Sequence, residues 1–186
     1  MSSTRIGIIS DTHGDAAAWR RATDCLGPVD LMIHAGDVLY HGPRNPLPAG
    51  YDPAELINLL TACPYPVLIA QGNCDAAVDA FVLPVPLQSP VVFLQWEGIR
   101  ILAHHGHQYP PDQLLSLAER WGARLCISGH THVAGLERRN GIICLNPGSP
   151  SLPMGTAARP TVARLADYRV ELLDVATGEV LVVETL

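Results

Sequence analysis

Five short polar clusters, each at the end of an apolar run, hold most of the residues that could do chemistry here: Asp11-Thr12-His13, Gly36-Asp37, Gly72-Asn73-Cys74-Asp75, His105-Gly106-His107 and Gly129-His130-Thr131-His132. Carboxylates, imidazoles and an amide oxygen are donors that hard and borderline divalent cations accept. Together the clusters supply ligands for two such ions. Asp11 and His13 stand two positions apart, so an extended or turning backbone can aim both at one cation. Gly36 lets the chain turn sharply and leaves the Asp37 carboxylate clear of a bulky neighbour. The strongest single cluster is Gly129-His130-Thr131-His132, because two imidazoles flanking one residue after a strand rarely serve packing alone. Others are weaker in isolation: Asn73 reads equally as a turn residue after Gly72, and His105 as a satisfied loop histidine.

The elements that must position these groups are short. Arg5 to Ile9, Leu31 to Ala35, Val67 to Ala70, Ile99 to Ala103 and Arg124 to Ile127 are apolar and stop at Gly, Asp, Asn or His, which predicts buried strands. Metal-type residues then fall at C-terminal strand ends, where open α/β sheets gather their sites. Asp15 to Leu26 predicts a helix ended by Gly27-Pro28, and Asp52-Pro53-Ala54-Glu55 has the cap, proline and glutamate of a helix start. Tyr40 to Tyr51 is a Gly/Pro/Asn-rich loop, and Phe81 to Pro90 a proline-interrupted edge or crossing segment. A hairpin turns at Glu97-Gly98, a helix covers Asp112 to Trp121, and Ile142 to Leu145 leads into a turn at Asn146-Pro147-Gly148-Ser149. Three strands close the chain: Thr161 to Leu165, Tyr168 to Asp174 and Val180 to Thr185. Early helices between strands and a strand-rich tail suggest two packed sheets flanked by helices.

Composition narrows the chemistry. With 186 residues, 48% hydrophobic and 16% charged, the chain is expected to form one domain over 1–186. All twelve cationic residues are Arg, which excludes a Walker lysine loop, a Schiff-base lysine and a Ser-Lys dyad. A formal charge of -6 argues against long nucleic acids as partners. No run of 18 apolar residues occurs, so no membrane span is expected, and Met1 to Arg5 leads into a strand without a secretory core. Without that core a cytoplasmic location is expected, and Cys25, Cys63, Cys74, Cys126 and Cys144 show no paired spacing, so disulfides are not expected.

In order and spacing the clusters resemble the calcineurin-like metallophosphoesterase superfamily, whose pattern is Asp-x-His, Gly-Asp, Gly-Asn-His-Asp/Glu, His and Gly-His-x-His. More narrowly, Gly36 to Asn45 and Gly72 to Asp75 resemble the YfcE-type bacterial phosphodiesterases. The likeness runs from about Arg5 to Ser149. It implies a four-layer α/β/β/α sandwich of two mixed sheets flanked by helices, with the metals at the strand ends. It also implies a distribution of ligands: Asp11, His13 and His132 on one ion, Asn73, His105 and His130 on the other, and Asp37 bridging. His104 is left as a supporting or structural residue. Mn²⁺ is the metal the resemblance favours, with Fe²⁺, Co²⁺, Zn²⁺ or Ni²⁺ as alternatives. The implied function is hydrolysis of a small phosphodiester by in-line attack of a metal-bridging hydroxide, and related proteins commonly form homo-oligomers. Two divalent ions outweigh the two Asp charges, which leaves a positive site on an acidic protein.

Two departures matter. Cys74 stands where the family has the His that protonates the leaving oxygen, so Cys74 and His107 are the candidates for that proton. Tyr40 and His41 replace the Asp and Arg of the usual Gly-Asp-x-x-Asp-Arg-Gly, so His41 or Arg44 is a candidate substrate contact; either can equally pair with the backbone or a partner subunit. The alternatives are a phosphomonoesterase or nuclease with the same site, and, from another class, a non-catalytic binding scaffold like the retromer subunit of this fold. That subunit has eroded ligands, whereas every ligand position is occupied here.

Overall fold

The structure, a computed structural model, describes residues 4–186, so the expectation for Met1 to Ser3 lies outside the described residues. Its sequence of elements begins β1 (Ile6–Ile9), α1 (Ala16–Leu26), β2 (Leu31–His34), α2 (Pro53–Thr61), β3 (Val67–Ala70) and β4 (Leu87–Gln88), with a short 3-10 turn at Ala77–Phe81. There follow β5 (Val92–Trp96), β6 (Ile99–Ala103), α3 (Pro111–Trp121), β7 (Leu125–Ile127), β8 (Gly135–Arg139), β9 (Ile142–Asn146), β10 (Thr161–Ala166), β11 (Arg169–Asp174) and β12 (Val180–Thr185). Local chemistry sets the helix ends. Asp15 caps α1 by accepting from the Ala18 N–H at 2.7 Å, Gly27 closes it at φ 65°, and Asp52 caps α2 through the Glu55 N–H at 3.0 Å.

A seven-stranded sheet runs β12-β11-β10-β1-β2-β3-β4 and a five-stranded sheet β5-β6-β7-β9-β8. Both are mixed: β1, β2, β3 and β4 pair in parallel, as do β6, β7 and β9, while β10 to β12, β5 and β8 pair antiparallel. Alternation along β1 sends Ile6 and Ile8 to one face and Ile9 to the other. Ile6, Ile8 and Ile33 meet Ile101, Ile127 and Leu145 of the second sheet, so the central core lies between the sheets. Trp19, Leu26, Leu56 and Leu60 of α1 and α2 cover the outer face of the first sheet, and Leu114 and Ala118 of α3 that of the second. This is the expected four-layer α/β/β/α sandwich. Each fully buried Ile or Leu contributes about 1.5–3 kcal/mol.

One strand lies outside the sequence expectations: β8, Gly-Leu-Glu-Arg-Arg. It pairs at an edge with β9 through a turn at Asn140-Gly141, and Glu137, Arg138 and Arg139 are exposed, so it carries no apolar run.

Candidate metal centre

Parallel pairing puts the C-terminal ends of β1, β2 and β3 side by side in one sheet and those of β6 and β7 in the other. The loops that follow are tied together. Asp11 N–H donates to the Gly36 carbonyl and His13 N–H to the Asp37 carbonyl, each at 3.0 Å, while Gly129 N–H donates to the His105 carbonyl at 2.8 Å. Other bonds link the two sheets, among them His130 N–H to Asp11 Oδ2 at 3.1 Å and the Ser149 hydroxyl to the Asp11 carbonyl at 2.8 Å. Asp11, His13, Asp37, His130 and His132 all hold left-handed φ, between 48° and 71°. The other non-glycine residues of this kind among the described residues, Glu97, Asn140, Asp167 and Tyr168, sit in hairpin turns. Such a conformation costs about 1–3 kcal/mol per residue and persists where the surroundings impose it, typically at functional sites.

Three imidazoles are oriented alike. His13 Nδ1 donates to the Tyr40 carbonyl, His105 Nδ1 to that of Ala35 and His132 Nδ1 to that of Leu152, each at 2.8 Å. A carbonyl only accepts, so the proton is on Nδ1 and each Nε2 can present a lone pair, the arrangement a metal-binding histidine needs. Those Nε2 atoms face the two carboxylates. His132 lies 3.3 Å and His13 3.8 Å from Asp11 Oδ1, while His105 lies 3.4 Å and His13 3.7 Å from Asp37 Oδ2. Asn73 Oδ1 is 3.0 Å from His105 Nε2. Asp11 Oδ1 is buried with no hydrogen-bond partner, although Oδ2 of the same group accepts from the Ser10 hydroxyl at 2.6 Å. A buried, unpaired carboxylate oxygen is costly, and a divalent cation removes that cost. The residues therefore fit the metals that the motifs call for.

Charge is tuned to match. Burial opposes the ionised Asp37, but the bond and charge of His105 and the Cys74 N–H outweigh it and hold this carboxyl well below its usual range. Burial alone would push His105 down; without metal Asp37 and Asp11 lift it to about 9, so its Nε2 gives up a proton when it takes a cation. Cys74 moves the other way, since burial and then the Asp37 charge push its thiol up to about 12.

The candidate residues separate by position. Asp11 groups with His13 and His132, and also with Asp37 and His105; Cys74 groups with His13 and Asp37. A cleft of about 390 Å³ opens over this centre, lined by Asp37, Arg44, Asn73, Cys74, His130, His132 and Met154 among others. His130 enters through that lining and a ring distance of 5.1 Å from His105. His107 is exposed, 5.4 Å from the His105 ring and 6.3 Å from that of His130, and does not line the cleft. His41 turns away from it, packed edge-on against Tyr40 and Tyr51. His104 lies behind, beside Tyr109, held neutral by burial, which pushes it down to about 4.

Sequence reasoning missed His34, at the end of β2. Its Nδ1 accepts from the Gly36 N–H at 3.1 Å, so its Nε2 carries the proton shared with Thr12 Oγ1 at 3.0 Å. Burial pushes His34 down to about 4, and a proton on Nδ1 would break the bond that shapes the Gly36-Asp37 turn. The stability from neutral His34 is therefore present above its unfolded value of about 6.5 and is lost as pH falls toward about 4. Across that window the metal-free protein should lose about 1.4 kcal/mol per pH unit relative to a His34→Gln variant. Urea unfolding of both proteins between these limits checks it.

The sequence profile of the calcineurin-like phosphoesterase superfamily domain matches residues 4–167. The chain belongs to the calcineurin-like phosphoesterases. It is a hydrolase, and membership of the family implies divalent metal ions, for which the groups above are candidate ligands. It is 36% identical over 153 residues to phosphodiesterase YfcE of Escherichia coli K12, covering 81% of this chain and 82% of that one. A solved structure of the E. coli phosphoesterase Yfce superposes with a TM-score of 0.86 at 28% identity, over 98% of this chain and 99% of that one. Vacuolar protein sorting 29 from Cryptosporidium parvum superposes with a TM-score of 0.70 at 21% identity, covering 100% of this chain and 98% of that one, a likeness of fold alone.

Proposed function

We propose that this protein is a phosphodiesterase that hydrolyses a small diester with two divalent ions, Mn²⁺ in first place. The observation that carries the reading is Asp37 Oδ2 facing His13 on one side and His105 on the other, beside the unpaired Asp11 Oδ1. Asp11, His13 and His132 would hold one ion, Asn73, His105 and His130 the second, and Asp37 both. When bound, the ions stabilise phosphoryl charge and lower the pKa of a water that attacks in line.

The chain's own groups supply the rest. Arg44 lines the cleft, where its guanidinium can grip a phosphate in a bidentate way. Asp75 accepts from the Asp37, Val38 and Gly72 N–H groups at 2.9, 2.7 and 2.7 Å, and so fixes the bridging loop. Cys74 is a poor stand-in for an imidazolium, because a thiol with an ordinary pKa of about 8.5 gives up its proton less readily at neutral pH. Cys74→Ser is therefore expected to turn over diesters with aryl and alkyl leaving groups as before, whereas losing a general acid costs about 10² to 10⁴ with the poor leaving group. A selective loss for alkyl leaving groups would reinstate the thiol, and His107→Ala is the matching variant.

Residues 1–186 are taken as one domain, which the core shared by both sheets supports. Among the described residues no helix is long and apolar enough to cross a membrane. Five free thiols suit a reducing compartment, and we place the enzyme in the cytoplasm. The monoesterase and nuclease readings share the metals, but a cleft of about 390 Å³ favours a small ester over a polymer. Hydrolysis of bis(p-nitrophenyl) phosphate beside p-nitrophenyl phosphate, after chelation and return of each metal, tests the proposal. Chelation should abolish activity and Mn²⁺ restore it toward the diester; activity toward neither with every metal would favour the scaffold reading.

A further inference from the structure

Met154 is out of character with the cleft. Apart from Pro43, it is the only large apolar side chain among the described residues lining that space, and it is 46% exposed. It is also held firmly. Its N–H donates to the His132 carbonyl at 3.0 Å, and two residues earlier the Leu152 carbonyl accepts from His132 Nδ1. Met154 therefore moves with a metal ligand.

The same residue also lines a second pocket of about 140 Å³, open to solvent and bounded by Val133, Ala134 and Arg159 among others. Val133 is 45% exposed beside it, and a Cβ on Gly155 would come within 3.3 Å of Val133 Cγ1, so the loop lies close against that residue. Arg159 reaches Asp174 Oδ2 at 3.4 Å, which engages its charge, while its side chain remains 46% exposed. A cavity of about 150 Å³ is large enough to take a benzene ring. Thioether sulfur favours aromatic partners, and so does a guanidinium face.

We infer that this chamber is a specificity subsite for the ester group the product retains, that it takes a single aromatic ring, and that Met154 is its threshold. The claim rests on the phosphodiesterase reading and names its substrate class: an aryl-bearing diester rather than a dialkyl one.

Phenyl p-nitrophenyl phosphate and methyl p-nitrophenyl phosphate share a leaving group and differ in the retained arm. The holoenzyme should prefer the phenyl compound by about tenfold in kcat/KM, at the low end of what an apolar pocket contact gives. Met154→Ala should bring that ratio to within about twofold, and Met154→Leu should keep most of it. A second readout is independent of turnover: in protein labelled with methyl-¹³C methionine, phenylphosphonate should shift the Met154 signal by its ring current, methylphosphonate should not, and buried Met32 should stay still in both. An unchanged ratio in Met154→Ala, or a Met154 methyl blind to phenylphosphonate, overturns the subsite. Hydrolysis of neither diester with any metal would overturn the phosphodiesterase reading itself, and the methyl shift would still report on the chamber.

Discussion

Replacing Asp37 by Asn is expected to lower diester turnover by at least about 10³-fold, since charge stabilisation by a metal pair is worth several kcal/mol and each 1.36 kcal/mol is tenfold. The geometry argues for so large a loss from so small a change. Oδ2 is the atom within 3.7 Å of His13 Nε2 and 3.4 Å of His105 Nε2, while Oδ1 accepts the Cys74 N–H at 2.8 Å. An amide can keep its oxygen toward Cys74 only by turning its NH₂ toward both imidazoles. It also removes one of the two negative charges available to the ions. Nothing in the hydrophobic core is touched, so near-ultraviolet circular dichroism should be retained while metal content and kcat/KM fall together. A variant that keeps both ions and loses less than tenfold would remove Asp37 from the bridging position.

Asp75→Ala should do the opposite kind of damage. Its side chain is 6% exposed, and three backbone N–H groups depend on it: Oδ2 takes those of Asp37 and Gly72, and Oδ1 that of Val38. Each buried donor left without a partner costs about 1–3 kcal/mol, so with three of them the variant should lose about 3–9 kcal/mol, a large share of the roughly 5–15 kcal/mol that keeps a domain folded. Asp75→Asn should recover only part of this. If its oxygen keeps the Oδ2 position, its NH₂ faces the Val38 donor. Urea unfolding of the three metal-free proteins would show the series, and a loss below about 1 kcal/mol for alanine would mean that other acceptors reach these donors.

The site was legible at the level of residue types because ligands need particular donors, and the strands were legible because buried β-structure needs apolar runs. Val67–Ala70, Ile99–Ala103 and Val180–Thr185 have the expected bounds, and Gly36 leaves the close space beside His105 that the turn requires. What escaped is what depends on the third dimension. His34 looks like any polar residue at a strand end until its two ring nitrogens are assigned. The left-handed backbone at five candidate ligands has no signature in residues other than glycine. Asp75 looks like one more polar residue beside Asn73, but its three donors come from two loops far apart in sequence. His41 faces aromatic rings rather than the cleft, and Met154, in a loop after β9, carries no motif at all.

The centre draws Asp11, His13, Asp37 and Asn73 from the loops of the seven-stranded sheet and His105, His130 and His132 from those of the five-stranded one. Between the sheets the two halves are otherwise joined chiefly by non-directional apolar packing, which tolerates sliding. Ions seated across that seam would act as rivets: they would fix the register of one half against the other and turn two sheets that merely stick together into a single rigid body. The supply of metal would then govern not only whether this enzyme works but how long the folded chain survives in a cell, because a metal-starved copy has only a few hydrogen bonds, such as His130 N–H to Asp11 and His105 to the Ala35 carbonyl among the described residues, to fasten the edge where the two halves meet.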